Sequence, residues 1–503
     1  MSLAIVRSRA QDGIEAPEVS VEVHLGNGLP SFTLVGLPEA AVRESRERVR
    51  AALVTAGFEF PMRRITVNLA PADLPKDGGR FDLPIALGIL AASGQIPHDA
   101  LADCEFIGEL ALDGTLRPVR GVLPAVWHAA RSDRACILPE ANAAEAGLVR
   151  SARCRAADHI LSVCRALRGE EVLPEVPGHQ PSPAATAVED LADVRGQAHA
   201  RRALEIAAAG GHNLLMVGPP GTGKTMLARR LPGILPPMNE EEAMQTAMLW
   251  SISSQGFAPE QWGRRPFRDP HHTSSGVALI GGGSRPQPGE VSLAHNGVLF
   301  LDELTEFDRR VLEVLREPLE TGEVSISRAA RQARFPARFQ LLAAMNPCPQ
   351  GYDCDLEDNC RCTPAQQQRH RARLSAPLLD RIDLQIEVPR QDPRELATLP
   401  EGEPSSVVAA RVAAARERML LRQQCINASL AGRALENHCA LEAADRDFLD
   451  QAVARLRLST RAHHRILRVA RTIADLAGQE RVERAHLAEA LGLRAFERLM
   501  NAA

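Results

Sequence analysis

Four stretches of this 503-residue sequence carry residue types at spacings that chemistry can use. The first, GPPGTGKT, places Gly218, Pro219, Pro220, Gly221, Thr222, Gly223, Lys224 and Thr225 in the G-x-x-x-x-G-K-[ST] pattern of a phosphate loop. Its glycines let backbone N–H groups turn toward phosphates. Lys224 is expected to reach the β and γ phosphates of ATP, and Thr225 to ligate Mg2+. The second, GVLFLDEL, ends an apolar run in Asp302 and Glu303. Two adjacent carboxylates at the tip of a buried strand are costly to stability. They are therefore read as functional, Asp302 holding the magnesium through water and Glu303 polarising an attacking water as general base. The third, QLLAAMN, ends in Asn346, whose amide can orient the same water or touch the γ phosphate. The fourth packs Cys348, Cys354, Cys360 and Cys362, four of the chain's ten cysteines, into a short polar loop. Thiolates suit tetrahedral zinc. The spacing C-x5-C-x5-C-x-C is irregular beside paired C-x2-C knuckles, so zinc stands against plain reduced thiols.

These stretches need elements to hold them. NLLMV before the phosphate loop reads as a buried strand and MLARRL after it as a helix, the context the loop requires. Residues 188–395 alternate such apolar runs with helical segments, which predicts a largely parallel α/β sheet. Residues 1–170 also mix strand and helix signals. VSVEVHL puts Val19, Val21, Val23 and Leu25 on one face, RRITVNLAP does the same with Ile65, Val67 and Leu69, and a helix between them ends at Gly57. Residues 171–187 are proline-rich and lack periodicity, as a linker does. Residues 404–503 read as helical, with Ser459 as a cap and Ile466, Val469, Ala470 and Ile473 on one stripe.

Composition narrows the classes. Hydrophobic residues are 45%, charged residues 24% and the net charge is −4, so any nucleic-acid contact must be a local basic site. Aromatic residues are only 3%, which disfavours a surface of stacked bases. The N-terminus lacks a signal-peptide core, and no apolar run approaches the roughly 20 residues of a membrane helix. A cytoplasmic protein without membrane contact is expected, and there a disulfide reading of the cysteines is disfavoured.

The order of phosphate loop, Asp-Glu strand, Asn strand, LLDRID and STRAHHRILRVAR resembles the AAA+ ATPases. RPFRDPHHTSSGVALIGGG and PGEVSLAHNGVLFLDEL resemble the magnesium-chelatase-like branch and, within it, the ComM/YifB family of competence-related helicases. The resemblance covers nearly the whole chain. It implies a hexameric ring with ATP sites between subunits, Arg381 of LLDRID as arginine finger, and Arg461 of STRAHH as the sensor-2 arginine with Arg465 as its rival. It also implies ATP-driven unwinding and branch migration of single-stranded or branched DNA during natural transformation. The first block resembles the Lon-protease-like domain, as in the RadA family of DNA motors. Leu123, however, stands where Lon has its lysine, and KDGGRFDLPIAL has no serine. Without nucleophile and base, this block is expected to be a non-proteolytic scaffold or a collar touching DNA.

GEVSISRAARQARFPARFQLL looks like the pre-sensor hairpin of MCM helicases and chelatases. EVSIS and ARFQLL read as its strands, with a turn near Ala329 and Ala330. Arg328, Arg331 and Arg334 at and beside the tip would make a basic collar in a ring, suited to DNA phosphates. A chelatase-type motor that remodels a protein partner is the alternative. The neighbouring His271 and His272 invite a metal reading, but adjacent histidines do not easily point into one site. They are read as part of the helix-2 insert facing the pore.

Overall fold

Period-two alternation builds the first sheet. In the strand Glu18–Gly26, Val19, Val21, Val23 and Leu25 are buried while most of their neighbours are not, and Arg64–Ala70 buries Ile65, Val67 and Leu69 in the same way. The computed structural model describes residues 3–178, 189–283, 286–328, 331–350, 362–392, 394, 398–456 and 458–494. The chain divides into two compact units, Met1–Ala184 with Ala243–Trp262, and Ala185–Glu242 with Gly263–Ala503.

The first unit holds a seven-stranded sheet in the order Ser31–Val35, Arg64–Ala70, Glu18–Gly26, Leu3–Arg9, Cys104–Phe106, Ala135–Pro139, Cys154–Ala157. Helix Asp82–Ala92 is apolar almost all round and buried at every position, as expected of a helix covered on all sides. Gly88 allows its approach to the sheet, since a Cβ there would lie 2.5 Å from Val23 Cγ2. Leu123 is fully buried in an apolar cluster with Val122 and Val126. Met244, Ala247 and Met248, which follow the phosphate loop in sequence, complete that same cluster.

The second unit is built on five parallel strands in the order Phe267–Arg268, Val298–Leu301, Gln340–Met345, Leu214–Val217, Leu384–Glu387. The three central strands are buried at every residue, the run expected of a parallel sheet covered on both faces. Helix Thr460–Leu476 is capped by Ser459, whose Oγ accepts from Ala462 N at 3.1 Å. Its Ile466, Val469, Ala470 and Ile473 share one core with the sheet. The C-terminal helices are thus packed onto the ATP-loop layer through helix Ala198–Gly210.

The hairpin corrects one expectation. Its strands are Glu323–Arg328 and Arg331–Pro336, paired antiparallel, and Gln340–Met345 belongs to the parallel sheet. ARFQLL therefore straddles the connection between hairpin and sheet. The register is chosen by burial: Val324 opposes Phe335 and Ile326 opposes Ala333, and all four are buried.

Candidate functional site

Parallel strands bring their C-terminal ends to one edge of a sheet, and ligands of such sheets bind there. Leu214–Val217 delivers the phosphate loop, Val298–Leu301 delivers Asp302 and Glu303, and Gln340–Met345 delivers Asn346. The loop needs its glycines. Gly221 and Gly223 have φ of 79° and 89°, and a Cβ on Gly218 would lie 2.2 Å from Val388 O.

Lys224 is nearly buried, with Nζ donating to Gly218 O at 2.6 Å, Pro219 O at 2.8 Å and Asn346 Oδ1 at 3.3 Å. Burial lowers its pKa, and the charges of Asp302 and Glu303 oppose that fall. Thr225 Oγ1 donates to Asp302 Oδ2 at 2.7 Å, so a hydroxyl and a carboxylate oxygen already converge. Such hard oxygen donors fit Mg2+. Asp302 Oδ1 accepts from Glu303 N at 2.9 Å, and Glu303 sits in left-handed backbone at φ 51°. Asp269, beyond the edge strand, has its pKa raised by burial and then by the nearby charge of Asp302. The Asn346 carbonyl lies 3.1 Å from His370 Nε2.

Other expected residues lie apart from this group. Arg381 is buried against its own chain, bonded to Glu320 and donating to Pro377 O at 2.6 Å. Arg461 is well exposed, 3.9 Å from Asp380. Its rival Arg465 is mostly buried and pairs with Asp383 at 3.1 Å, which leaves Arg461 the freer of the two. Arg328 and Arg331 occupy opposed positions at the end of the hairpin ladder, and Arg334 is exposed opposite Ser325. Cys348 is buried and Cys362 partly so, whereas Cys354 and Cys360 lie outside the described residues. Among the described residues no group of three or more His, Cys, Asp or Glu side chains could hold a metal. No described helix is long and apolar enough to cross a membrane.

One site residue was not legible as such: His272, whose Nδ1 lies 3.0 Å from Glu303 Oε2. The edge strand before it pairs with the Asp-Glu strand at only two positions, Phe267 with Val298 and Arg268 with Leu299, too short a run to signal the contact in sequence.

The chain matches family models for magnesium chelatase, subunit ChlI, over residues 190–396, for subunit ChlI of Mg-chelatase over 21–142, and for the ChlI C-terminal region over 402–494. It is 53% identical to competence protein ComM of Haemophilus influenzae over 99% of both chains. It is 51% identical to the YifB protein of Salmonella typhimurium over 99% of this chain and 98% of that one. A shorter stretch, 20% of this chain and 11% of the other, is 36% identical to the DNA replication licensing factor Mcm6 of Drosophila melanogaster. Magnesium-chelatase-type family membership implies use of ATP and Mg2+, in keeping with the Lys224, Thr225 and Asp302 arrangement. Matched along its whole length by these relatives, the chain belongs to the ComM/YifB family of magnesium-chelatase-like AAA+ proteins.

Proposed function

We propose that this chain is an ATP-hydrolysing motor that acts on DNA, assembled as a hexameric ring and serving strand integration in competence and recombination. The observation that carries the hydrolytic part is the convergence of Lys224, Thr225, Asp302, Glu303 and Asn346 at one sheet edge. Lys224 binds the β and γ phosphates, exchanging its loop carbonyls for phosphate oxygens. Thr225 and Asp302 would hold Mg2+, which would supply charge neutralisation at the phosphates. Glu303 accepts a proton from water as the water oxygen bonds to the γ phosphorus, and the bond from that phosphorus to the β–γ bridging oxygen breaks. Asn346 bridges the two halves, since its amide oxygen already accepts from Lys224.

In the ring, Arg381 would serve the neighbour's γ phosphate, which requires it to leave Glu320, and Arg461 would close from the helical lid. DNA as substrate is supported by the basic hairpin Arg328–Arg331–Arg334 and by the name of the Haemophilus relative, a competence protein. A first unit without protease chemistry, with Leu123 buried in its core, suits a scaffold or collar of Lon-like descent. The four cysteines are read as a zinc staple for the loop after Asn346. Chelatase-type remodelling of a protein partner is the second reading, favoured by the family models.

The test separates binding from turnover. Lys224→Ala should lose nucleotide binding, and Glu303→Gln should bind ATP without hydrolysing it. DNA should stimulate wild-type turnover. Wild-type protein indifferent to single-stranded and forked DNA, yet stimulated by a protein partner, would replace the DNA reading with the chelatase one.

A further inference from the structure

We propose that Glu320 is a latch that holds Arg381 within its own subunit until DNA moves the hairpin; this rests on the reading of Arg381 as a finger for the neighbour's γ phosphate. The two ends of the latch are fixed to different elements. Arg381 is tied to the parallel sheet: its main-chain oxygen accepts from Asn213 Nδ2 at 2.8 Å, and Asn213 immediately precedes the strand Leu214–Val217. Its guanidinium donates to Pro377 O at 2.6 Å and to the Glu320 carboxylate. Glu320 belongs to the helix Arg316–Thr321, which runs straight into the hairpin strand Glu323–Arg328. Thr321 fastens helix to strand, since its Oγ1 donates to Glu317 O at 3.0 Å and accepts from Glu323 N at 3.2 Å. The far leg of the hairpin is fastened to the same join. Ala337 N donates to Gly322 O at 2.7 Å, and Arg338 packs so closely that a Cβ on Gly322 would lie 2.8 Å from its Cγ. A pull on the hairpin therefore carries Glu320 with it, while Arg381 stays with the sheet.

The docked arginine is held but not fully satisfied. Arg381 is 8% exposed, yet its Nε is buried with no hydrogen-bond partner among the described residues, an unfavourable state for so strong a donor. Glu320, by contrast, keeps a side chain 58% exposed. An ion pair open to water on one side is weak, so a modest displacement of the helix opens it. Both residues line a cavity of about 550 Å³ whose other walls include Val277, Ile280, Val314 and Val324, and this leaves the freed guanidinium room to swing. A carboxylate and a γ phosphate are both anions that take a guanidinium through N–H bonds. Arg381 therefore serves one or the other and not both. While it is latched, the neighbour's phosphates lack its charge; once released, it stabilises the phosphoryl group in transfer. The ring idles without DNA, and DNA gripped by the hairpin starts turnover.

The test is ATP turnover by the full chain in assembled rings, with and without a synthetic forked DNA. Glu320→Gln keeps the size and removes the charge. It should raise turnover without DNA by roughly 3-fold and shrink the stimulation by DNA by the same factor. Glu320→Lys, which repels the guanidinium, should go at least as far. Glu317→Gln removes a carboxylate one turn away on the same helix and should change neither quantity. Turnover without DNA that is unchanged or lowered in both Glu320 variants, or raised equally by Glu317→Gln, overturns the inference. Arg381→Ala measured alongside tells the failures apart. If it turns over at the wild-type rate, the finger assignment falls and the latch with it. If it is inactive while the Glu320 variants behave as wild type, only the latch falls. If wild-type turnover ignores DNA, the DNA reading falls and takes the trigger with it.

Discussion

Replacing Asp383 by asparagine should loosen the join between the ATP-binding layer and the C-terminal helices. Asp383 is almost wholly buried just before the strand Leu384–Glu387. Its Oδ2 lies 3.2 Å from Asn213 N and 3.5 Å from His212 Nδ1, and its Oδ1 lies 3.1 Å from Arg465 on the helix Thr460–Leu476. Burial alone would raise its pKa, but His212, Arg465 and Arg468 outweigh burial and hold it at about 2, below the ordinary 3.8. A depressed carboxylate contributes stability that is present above the unfolded value and lost as pH falls through the folded one, here from about 3.8 to about 2. The shift corresponds to about 2 kcal/mol at neutral pH. Asparagine also leaves Arg465 and His212 facing a neutral group, and removing one partner of a buried pair costs roughly 3–5 kcal/mol. Scanning calorimetry at pH 7 should therefore show the transition of the second unit lowered by roughly 5 °C or more. The gap between variant and wild type should narrow below about pH 4, as protonation removes the same charge. A transition within about 1 °C of wild type at pH 7 would refute the idea that this carboxylate holds the C-terminal helices in place.

Arg381→Ala should bind ATP but hydrolyse it poorly, and mixing it with Lys224→Ala should restore some turnover, because mixed rings contain interfaces with an intact loop and an intact arginine. No rescue at any ratio, in rings shown to mix, rejects a finger acting between subunits. Substituting Arg328 and Arg331 together by alanine should spare basal hydrolysis but abolish stimulation by DNA and unwinding of a fork. Each arginine removed from a DNA phosphate should also reduce the salt dependence of binding by roughly 0.7–0.9 in slope, and wild-type unwinding by the double variant places the grip elsewhere. Elemental analysis of metal-washed protein should find about one zinc per chain held by Cys348, Cys354, Cys360 and Cys362. Absence of zinc, or unchanged stability on replacing Cys354 and Cys360 by serine, rejects the staple.

Local chemistry was readable from the sequence wherever it is fixed by near neighbours. The phosphate loop is one tight turn, so glycine spacing suffices to locate Lys224 and Thr225. The Ser459 cap and its stripe are likewise decided within one helix. What was missed depends on pairing across distance. His272 meets Glu303 through an edge strand only two residues long, too short to show periodicity. Only the second strand of the hairpin was misplaced, because the buried pairs Val324–Phe335 and Ile326–Ala333 that set the true register join residues on two different strands. The bond from Arg381 to Glu320 joins residues 61 positions apart, and the LLDRID motif contains no hint of it.

The apolar cluster shared by Val122, Val126, Met244 and Met248 has a consequence for synthesis. The first unit is not complete when its own block of sequence leaves the ribosome, because its last piece ends at Trp262. At roughly 5–20 residues per second, that piece emerges several seconds after residue 178. During this interval the face carrying Val122 and Val126 is uncovered, and the phosphate loop is made before the cover arrives. Cutting the gene at the proline-rich linker would make that interval permanent. A soluble first module would have to carry residues 243–262 with it, joined by a new connection in place of the strand Leu214–Val217 and the phosphate loop that now lie between.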